Sequence, residues 1–308
     1  VLVTLLLAGV VTLGLGEAAA RWIVGLGDPP LYRADPELGY VMVPGTYRRF
    51  GNSIHYNRFH MRGPEVPEGR ARPDELRVLV MGDSVVNGGS PTDDADLATA
   101  ILARRLGERS GAPVQVMNAS AGSWSPGNLL AYLRRFGTFD ADLVVLVYNS
   151  LDWGEVVHSD LGPEQPTSRP WLALQEVVTN YAPRLLARVG LVRTPPDAVA
   201  PDPARAEQSL NAIRETIALL RQRGVPVVAV QHLRWTETTG TPLEGHARIG
   251  QTLRELGVET IQAVDAFRLI GPTAYRDDIH PNAKGQEVLA KVLEIAVRAG
   301  LPGHLPPP

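Results

Sequence analysis

Five short apolar runs, each separated from the next by a stretch of helical periodicity, constrain this chain more than any other feature. Val78-Leu79-Val80-Met81, Val114-Gln115-Val116-Met117, Leu143-Val144-Val145-Leu146-Val147, Val227 to Val230 and Val258 to Val264 read as strands. Pro226 stands at the entry of the fourth, where a strand tolerates it. Between and after them, Leu97 to Leu106, Leu129 to Phe136, Ala206 to Leu220, Ile249 to Leu256 and Ala283 to Ala299 carry amphipathic helical patterns. Strands apolar on both faces that alternate with such helices predict an α/β chain: a five-stranded parallel sheet between two helical layers.

The N-terminus is a different material. Val1 to Leu15 carries no charge and only two threonines as polar side chains. At 1.5 Å per residue it covers about 22 Å, short of a hydrocarbon core of about 30 Å. Extension to Leu26 would suffice but takes in Glu17 and Arg21, spaced i,i+4 with the acid first, the better order for a helical ion pair. Three readings stand: a secretory signal cleaved near Ala18-Ala19-Ala20, an uncleaved anchor, or a buried helix of the main domain. Residues 1–26 are therefore expected to be a signal or anchor helix of an exported protein.

Residues 27–76 form an apron broken by seven prolines, expected to be irregular, with Gly39-Tyr40-Val41-Met42-Val43 as its best strand. The main domain is expected over 77–299. Leu151 to Ala204 is too long for a plain loop and contains a helical pattern over Trp171 to Val189, so it reads as an insertion on the rim, a candidate lid. The tail, 300–308, is Pro-rich and expected to be loose. Lys plus Arg is 30 against 33 for Asp plus Glu, a formal charge of −3, which gives no support to a nucleic-acid partner. The absence of cysteine removes disulfides, thiol nucleophiles and Cys-containing zinc sites. None of the seven histidines has the spacing of a helix-borne zinc site, so no metal is expected.

Ligands of open parallel sheets sit outside the carboxyl ends of the strands. After the first strand comes Gly82-Asp83-Ser84, which puts the Ser84 hydroxyl at the sheet edge and its N–H at the start of a helical segment, where negative charge is favoured. The plain alternative is that Asp83 and Ser84 only cap a helix. Near the other end, Asp277-Asp278-Ile279-His280-Pro281-Asn282 precedes the last helix. Pro281 biases His280 to an extended backbone. Asp277 can accept a bond from one ring nitrogen, leaving the other free to take a proton and activate a serine. The competing reading is a turn cap with a locally packed histidine.

Together these segments resemble the SGNH/GDSL hydrolase superfamily, whose fold is flavodoxin-like, over roughly residues 77–299. The apron stretch Asn57-Arg58-Phe59-His60-Met61-Arg62-Gly63-Pro64-Glu65 is similar to the extension that precedes the nucleophile strand in membrane-anchored bacterial members. The resemblance implies Ser84 as nucleophile, His280 as general base and then acid, and Asp277 as its orienting partner. It implies three oxyanion donors: the Ser84 amide, a glycine amide after the second strand, and an amide side chain after the third. The glycine is Gly122, with Ser123 as rival. The family's Gly-x-Asn-Asp is missing; Leu151 falls where its asparagine belongs and Asp152 on its aspartate. Asn149, two residues back on the same face of a strand, is named as the third donor.

Trp124, Trp153 and Trp235 all fall just past strand ends, where flat rings can carry sugars or simply pack. With Asp152, Trp124 and Trp153 are taken as candidate substrate contacts. The segment Asn118 to Asn128 followed by Leu151-Asp152-Trp153-Gly154-Glu155 also looks like members linked to exopolysaccharide modification. His232 follows the fourth strand and is expected to be structural. The expected activity is a serine esterase that removes an acyl group, acetyl first, from an envelope or secreted carbohydrate, with no cofactor. An O-acyltransferase with the same residues and a non-catalytic polysaccharide-binding module are the alternatives.

Overall fold

The structure, a computed structural model, describes residues 1–157, 159–162, 165–182, 186 and 202–303. Four short strands lie in the apron: β1 (Tyr32–Asp35), β2 (Gly39–Met42), β3 (Gly45–Arg49) and β4 (Asn52–Tyr56). The main sheet follows with β5 (Leu76–Gly82), β6 (Val114–Ser120), β7 (Leu143–Tyr148), β8 (Val227–Gln231) and β9 (Glu259–Gln262). All five strands of this sheet run parallel, in the order β6-β5-β7-β8-β9. The chain therefore reverses its direction of travel across the sheet beside β5, the place where open α/β sheets form a ligand crevice.

Alternation along the strands sorts the core into two halves. Val78 and Val80 join Leu143, Val145 and Val228 on one face, against helices Ala98–Ser110 and Ala283–Gly300. Leu79, Met81, Val144 and Leu146 point the other way, towards helices Pro126–Phe136, Pro203–Gln222 and Glu244–Glu255. This is the expected three-layer arrangement, and each apolar run in the sequence contributes one strand. The last run is shorter as strand than expected: β9 stops at Gln262 and Val264–Ile270 is a helix.

The apron departs from its expected irregularity. β1 pairs with β2 and β3 with β4, making two antiparallel hairpins. Tyr40, Met42, Tyr47, Ile54 and Tyr56 are buried in the same cluster as Leu79 and Met81. Strands of four or five residues between prolines carry too little alternation to be told from loop. Their stability comes from packing on the main domain, since an isolated hairpin is marginal in water.

Helix Leu2–Ala19 continues through a wider π-type turn, Ala20–Val24. Its side chains from Leu2 to Leu15 are exposed, so the reading as a buried helix of the main domain does not hold. The stretch Leu2–Val24 is long and apolar enough to cross a membrane. Only the first part of the helical pattern expected over Trp171 to Val189 lies within the described residues: a short helix Ala173–Glu176 and a π-type turn Val177–Tyr181.

Candidate active site

β5 ends in Gly82, where a Cβ would lie 2.6 Å from Val86 Cγ2 and 3.2 Å from the Val147 carbonyl. A side chain here would crowd Val86 and the end of β7. Asp83 then caps the helix Ser84–Asn87, its Oδ1 accepting from the Val85 N–H at 2.9 Å. Ser84 opens that helix, so its own N–H has no carbonyl one turn back to bond.

The loop after Ser84 is held by the apron. Arg62, whose side chain is fully buried, donates to Asp94 Oδ1 at 2.7 Å, to the Gly89 carbonyl at 3.0 Å and to the Thr92 carbonyl at 2.7 Å. A buried guanidinium is tolerated because a carboxylate and several carbonyls answer its donors. Asn87 donates to the Ser120 carbonyl at 2.8 Å and accepts from Tyr56 Oη at 2.9 Å, which ties β4, β6 and the Ser84 helix into one unit.

On the opposite wall, residues 275–281 form a loop closed by a bridge between Tyr275 and Pro281 and by the Arg276 N–H donating to the His280 carbonyl at 2.9 Å. Asn282 caps the final helix, accepting from Lys284 and Gly285. Behind the loop, fully buried His232 donates from Nε2 to the Ile279 carbonyl at 2.9 Å, and Arg234 holds Asp278 at 2.6 Å. Burial drives the His232 pKa down to about 4, which keeps the ring neutral and its single N–H on Ile279.

These two walls bring Ser84, His280 and Asp277 together. His280 Nε2 lies 2.9 Å from Ser84 Oγ, and His280 Nδ1 lies 2.7 and 2.9 Å from the two Asp277 oxygens. Burial opposes ionisation of Asp277, but the His280 ring and the N–H groups of His280 and Ile279 outweigh it and hold the carboxyl well below the usual range. The carboxylate therefore stays charged, keeps the proton on Nδ1 and leaves Nε2 as the acceptor.

Ser84, His280 and Asp277 line a crevice of about 670 Å³, together with Gly122. Gly122 lies past β6, its carbonyl accepting from Tyr40 Oη. Ser123, its rival, is exposed, adopts a left-handed backbone with φ of 58° and does not line the crevice. Asn149 does not line it either. Its Nδ2 donates to Asp83 Oδ2 at 2.9 Å, and its Oδ1 accepts from the Leu151 N–H at 2.7 Å. The expectation that Asn149 supplies the third oxyanion donor is corrected: it is buried and anchors Asp83 beneath the nucleophile.

The expected aromatic contacts are corrected too. Trp124 is 1% exposed and donates to the Tyr40 carbonyl, so it belongs to the core. Trp153 packs on the core and under the Arg248 guanidinium, Trp235 packs on Tyr275, and neither lines the crevice. Asp152 is buried, accepting from the Asn149 N–H at 2.7 Å. The rings that do line the crevice are Tyr32, Phe50 and Tyr56 of the apron and Tyr181 of the insertion, with Arg276 beside Asp277. Reading strand ends alone misses them, because they come from segments outside the parallel sheet; only the adjacency of Arg276 to Asp277 was a signal.

Asp83, Asp152 and Glu155 form an acidic group behind Ser84. Burial raises all three, and repulsion from Asp83 adds to it at Asp152 and at Glu155, which rises to about 7. At neutral pH the group keeps protons that isolated carboxyls would lose. Among the described residues no group of His, Asp and Glu has the arrangement of a metal site.

A GDSL-like lipase/acylhydrolase family model matches residues 80–288, from within β5 into the final helix. The chain belongs to this family. No curated protein matches it. Among solved structures, TesA is 18% identical with a TM-score of 0.48, covering 73% of this chain and 100% of its own. An acetyl xylan esterase from Geobacillus stearothermophilus is 13% identical with a TM-score of 0.46, covering 74% of this chain and 95% of its own. A two-domain esterase active on acetylated mannans is 13% identical with a TM-score of 0.46, covering 76% of this chain and 53% of its own.

Proposed function

We propose that this family member is a serine esterase that removes short acyl groups, acetyl foremost, from a carbohydrate of the envelope or its surroundings. The observation that carries the reading is the continuous hydrogen-bonded line from Asp277 through His280 to Ser84, opening on the crevice. Ser84 Oγ attacks the ester carbonyl while His280 Nε2 takes its proton. The oxyanion forms against the N–H groups of Ser84 and Gly122, donors that can each contribute about 3–4 kcal/mol in such sites. His280 returns the proton to the leaving sugar oxygen, and the acyl group stays on Ser84. Water, deprotonated by His280, then attacks the acyl-serine; the carboxylic acid leaves and the proton returns to Ser84.

The crevice supports a polyhydroxylated substrate over a long acyl chain. Tyr32 and Tyr181 combine an apolar face with a hydroxyl, and Asn180 and Arg276 add hydrogen-bonding groups. We further propose that the chain is exported and keeps its N-terminal helix as an anchor. Ala20, the last residue of the small-residue stretch a signal peptidase would need, is 6% exposed and packs with Leu26 and Ala173. Purified protein is expected to release acetate from an aryl acetate and from acetylated oligosaccharides. Acetylated sugar accumulating when free oligosaccharide is added would instead identify a transferase.

A further inference from the structure

The anchor helix and the insertion are joined by polar contacts at one level. Glu17 accepts from the N–H groups of Ala173 at 2.8 Å and Leu174 at 3.0 Å and pairs with Arg21, which donates to the Trp171 carbonyl at 2.7 Å. Around this junction the apolar surface is unusually open. Trp171 is 93% exposed, Trp22 84%, Ile23 81%, Val178 68% and Leu172 55%. Val178 stands one helical turn after Leu174, the residue that meets the anchor at Gly16.

We propose that Trp22, Ile23, Trp171, Leu172 and Val178 form a face seated in the headgroup region of a phospholipid bilayer. The insertion is then a second membrane contact beside the anchor. Three observations commit this face to lipid. It is continuous with a helix whose side chains from Leu2 to Leu15, Thr4 and Thr12 apart, are apolar and exposed on every side, a surface water does not tolerate and lipid does. Its two tryptophans are the residues enriched where hydrocarbon meets headgroups. Glu17, about 7.5 Å below Trp22 along the helix, has its charge answered by Arg21 and by insertion amides, as an acid at the edge of hydrocarbon requires. The same insertion segment supplies Asn180 and Tyr181 to the crevice wall, so seating it on lipid sets the crevice beside the membrane surface. The esters within its reach are those of glycans that are lipid-linked or lie against the bilayer.

The test is tryptophan quenching in the full chain reconstituted into phosphatidylcholine–phosphatidylglycerol vesicles, with and without 6,7-dibrominated phosphatidylcholine. Trp22→Phe leaves Trp171 as the most exposed tryptophan. Its emission is expected to fall in brominated vesicles, and adding Trp171→Phe is expected to abolish that fall. Equal emission of Trp22→Phe in brominated and plain vesicles overturns the proposal, whether water or a protein partner covers Trp171. Turnover of a soluble aryl acetate is expected to stay at the wild-type level in both variants. A failed esterase assay with positive quenching would therefore strike the hydrolase reading alone.

Discussion

His280 Nε2 and Ser84 Oγ sit 2.9 Å apart although 196 residues of chain separate them. Two scaffolds hold this distance: the Ser84 helix, tied down by Asn87 and by Arg62 on its loop, and the 275–281 loop, backed by His232. The hydrogen bond puts the acceptor nitrogen within reach of the hydroxyl proton before any substrate arrives.

Ser84→Ala removes the hydroxyl and little else, since Ser84 Oγ bonds His280 and Asp83 only at the crevice edge. Turnover of an aryl acetate is expected to fall by about 10⁴-fold or more, with the melting temperature within a degree or two of wild type. Kinetics and thermal denaturation on the same preparation check both halves.

Asp277→Asn keeps the shape of the side chain but replaces the charged acceptor. The ring is then free to take the wrong tautomer, and kcat is expected to drop by about 10³–10⁴-fold, as when the orienting acid of a serine triad is neutralised. A loss below tenfold would mean that Asp277 serves only to shape the loop.

Much of the fold was legible because continuous apolar strands between amphipathic helices have few other solutions. All five runs contribute a strand to the parallel sheet, and Gly82-Asp83-Ser84 and Asp277-x-x-His280 fall at the two ends of the family domain. The apron hairpins were not legible, because their short strands gain order only from packing on Leu79 and Met81. The tryptophans misled for a related reason: a ring just past a strand end faces either crevice or core, and spacing does not distinguish them. Trp124 went to the core. Asn149 was found by its face on the strand, but its partner Asp83 is a tertiary neighbour that no local pattern reveals.

Gly285 lies in the first turn of the final helix, where a Cβ would stand 2.1 Å from the Ala274 carbonyl. Gly285→Ala must push the helix away from the loop that carries His280. Stability is expected to fall by about 1–3 kcal/mol, and kcat to fall as well, because the His280–Ser84 distance lengthens. Denaturant titration and kinetics read the two effects. A variant with full activity would show that the loop can move without disturbing the pair.

Two buried groups make stability depend on pH in opposite directions. Unfolded Glu155 loses its proton near 4.5 and the folded one near 7, so the folded state binds more protons in that window and stability falls as pH rises through it. Glu155→Gln is expected to melt higher than wild type at pH 8, by up to about 3 kcal/mol of stability, with the gap closing near pH 4.5. Folded His232 takes its proton near 4 against 6.5 when unfolded, so the unfolded state binds more protons there and stability is lost as pH falls. His232→Gln is expected to flatten that acid slope. Melting curves across pH 4–8 separate the two.

The most direct measurement is covalent labelling with a fluorophosphonate, followed by mass mapping of the modified peptide. One adduct per chain on Ser84 is expected, with labelling abolished in Ser84→Ala and strongly slowed in His280→Ala. No adduct, or one at equal rate in the His280→Ala variant, would contradict the claim that the imidazole activates this serine.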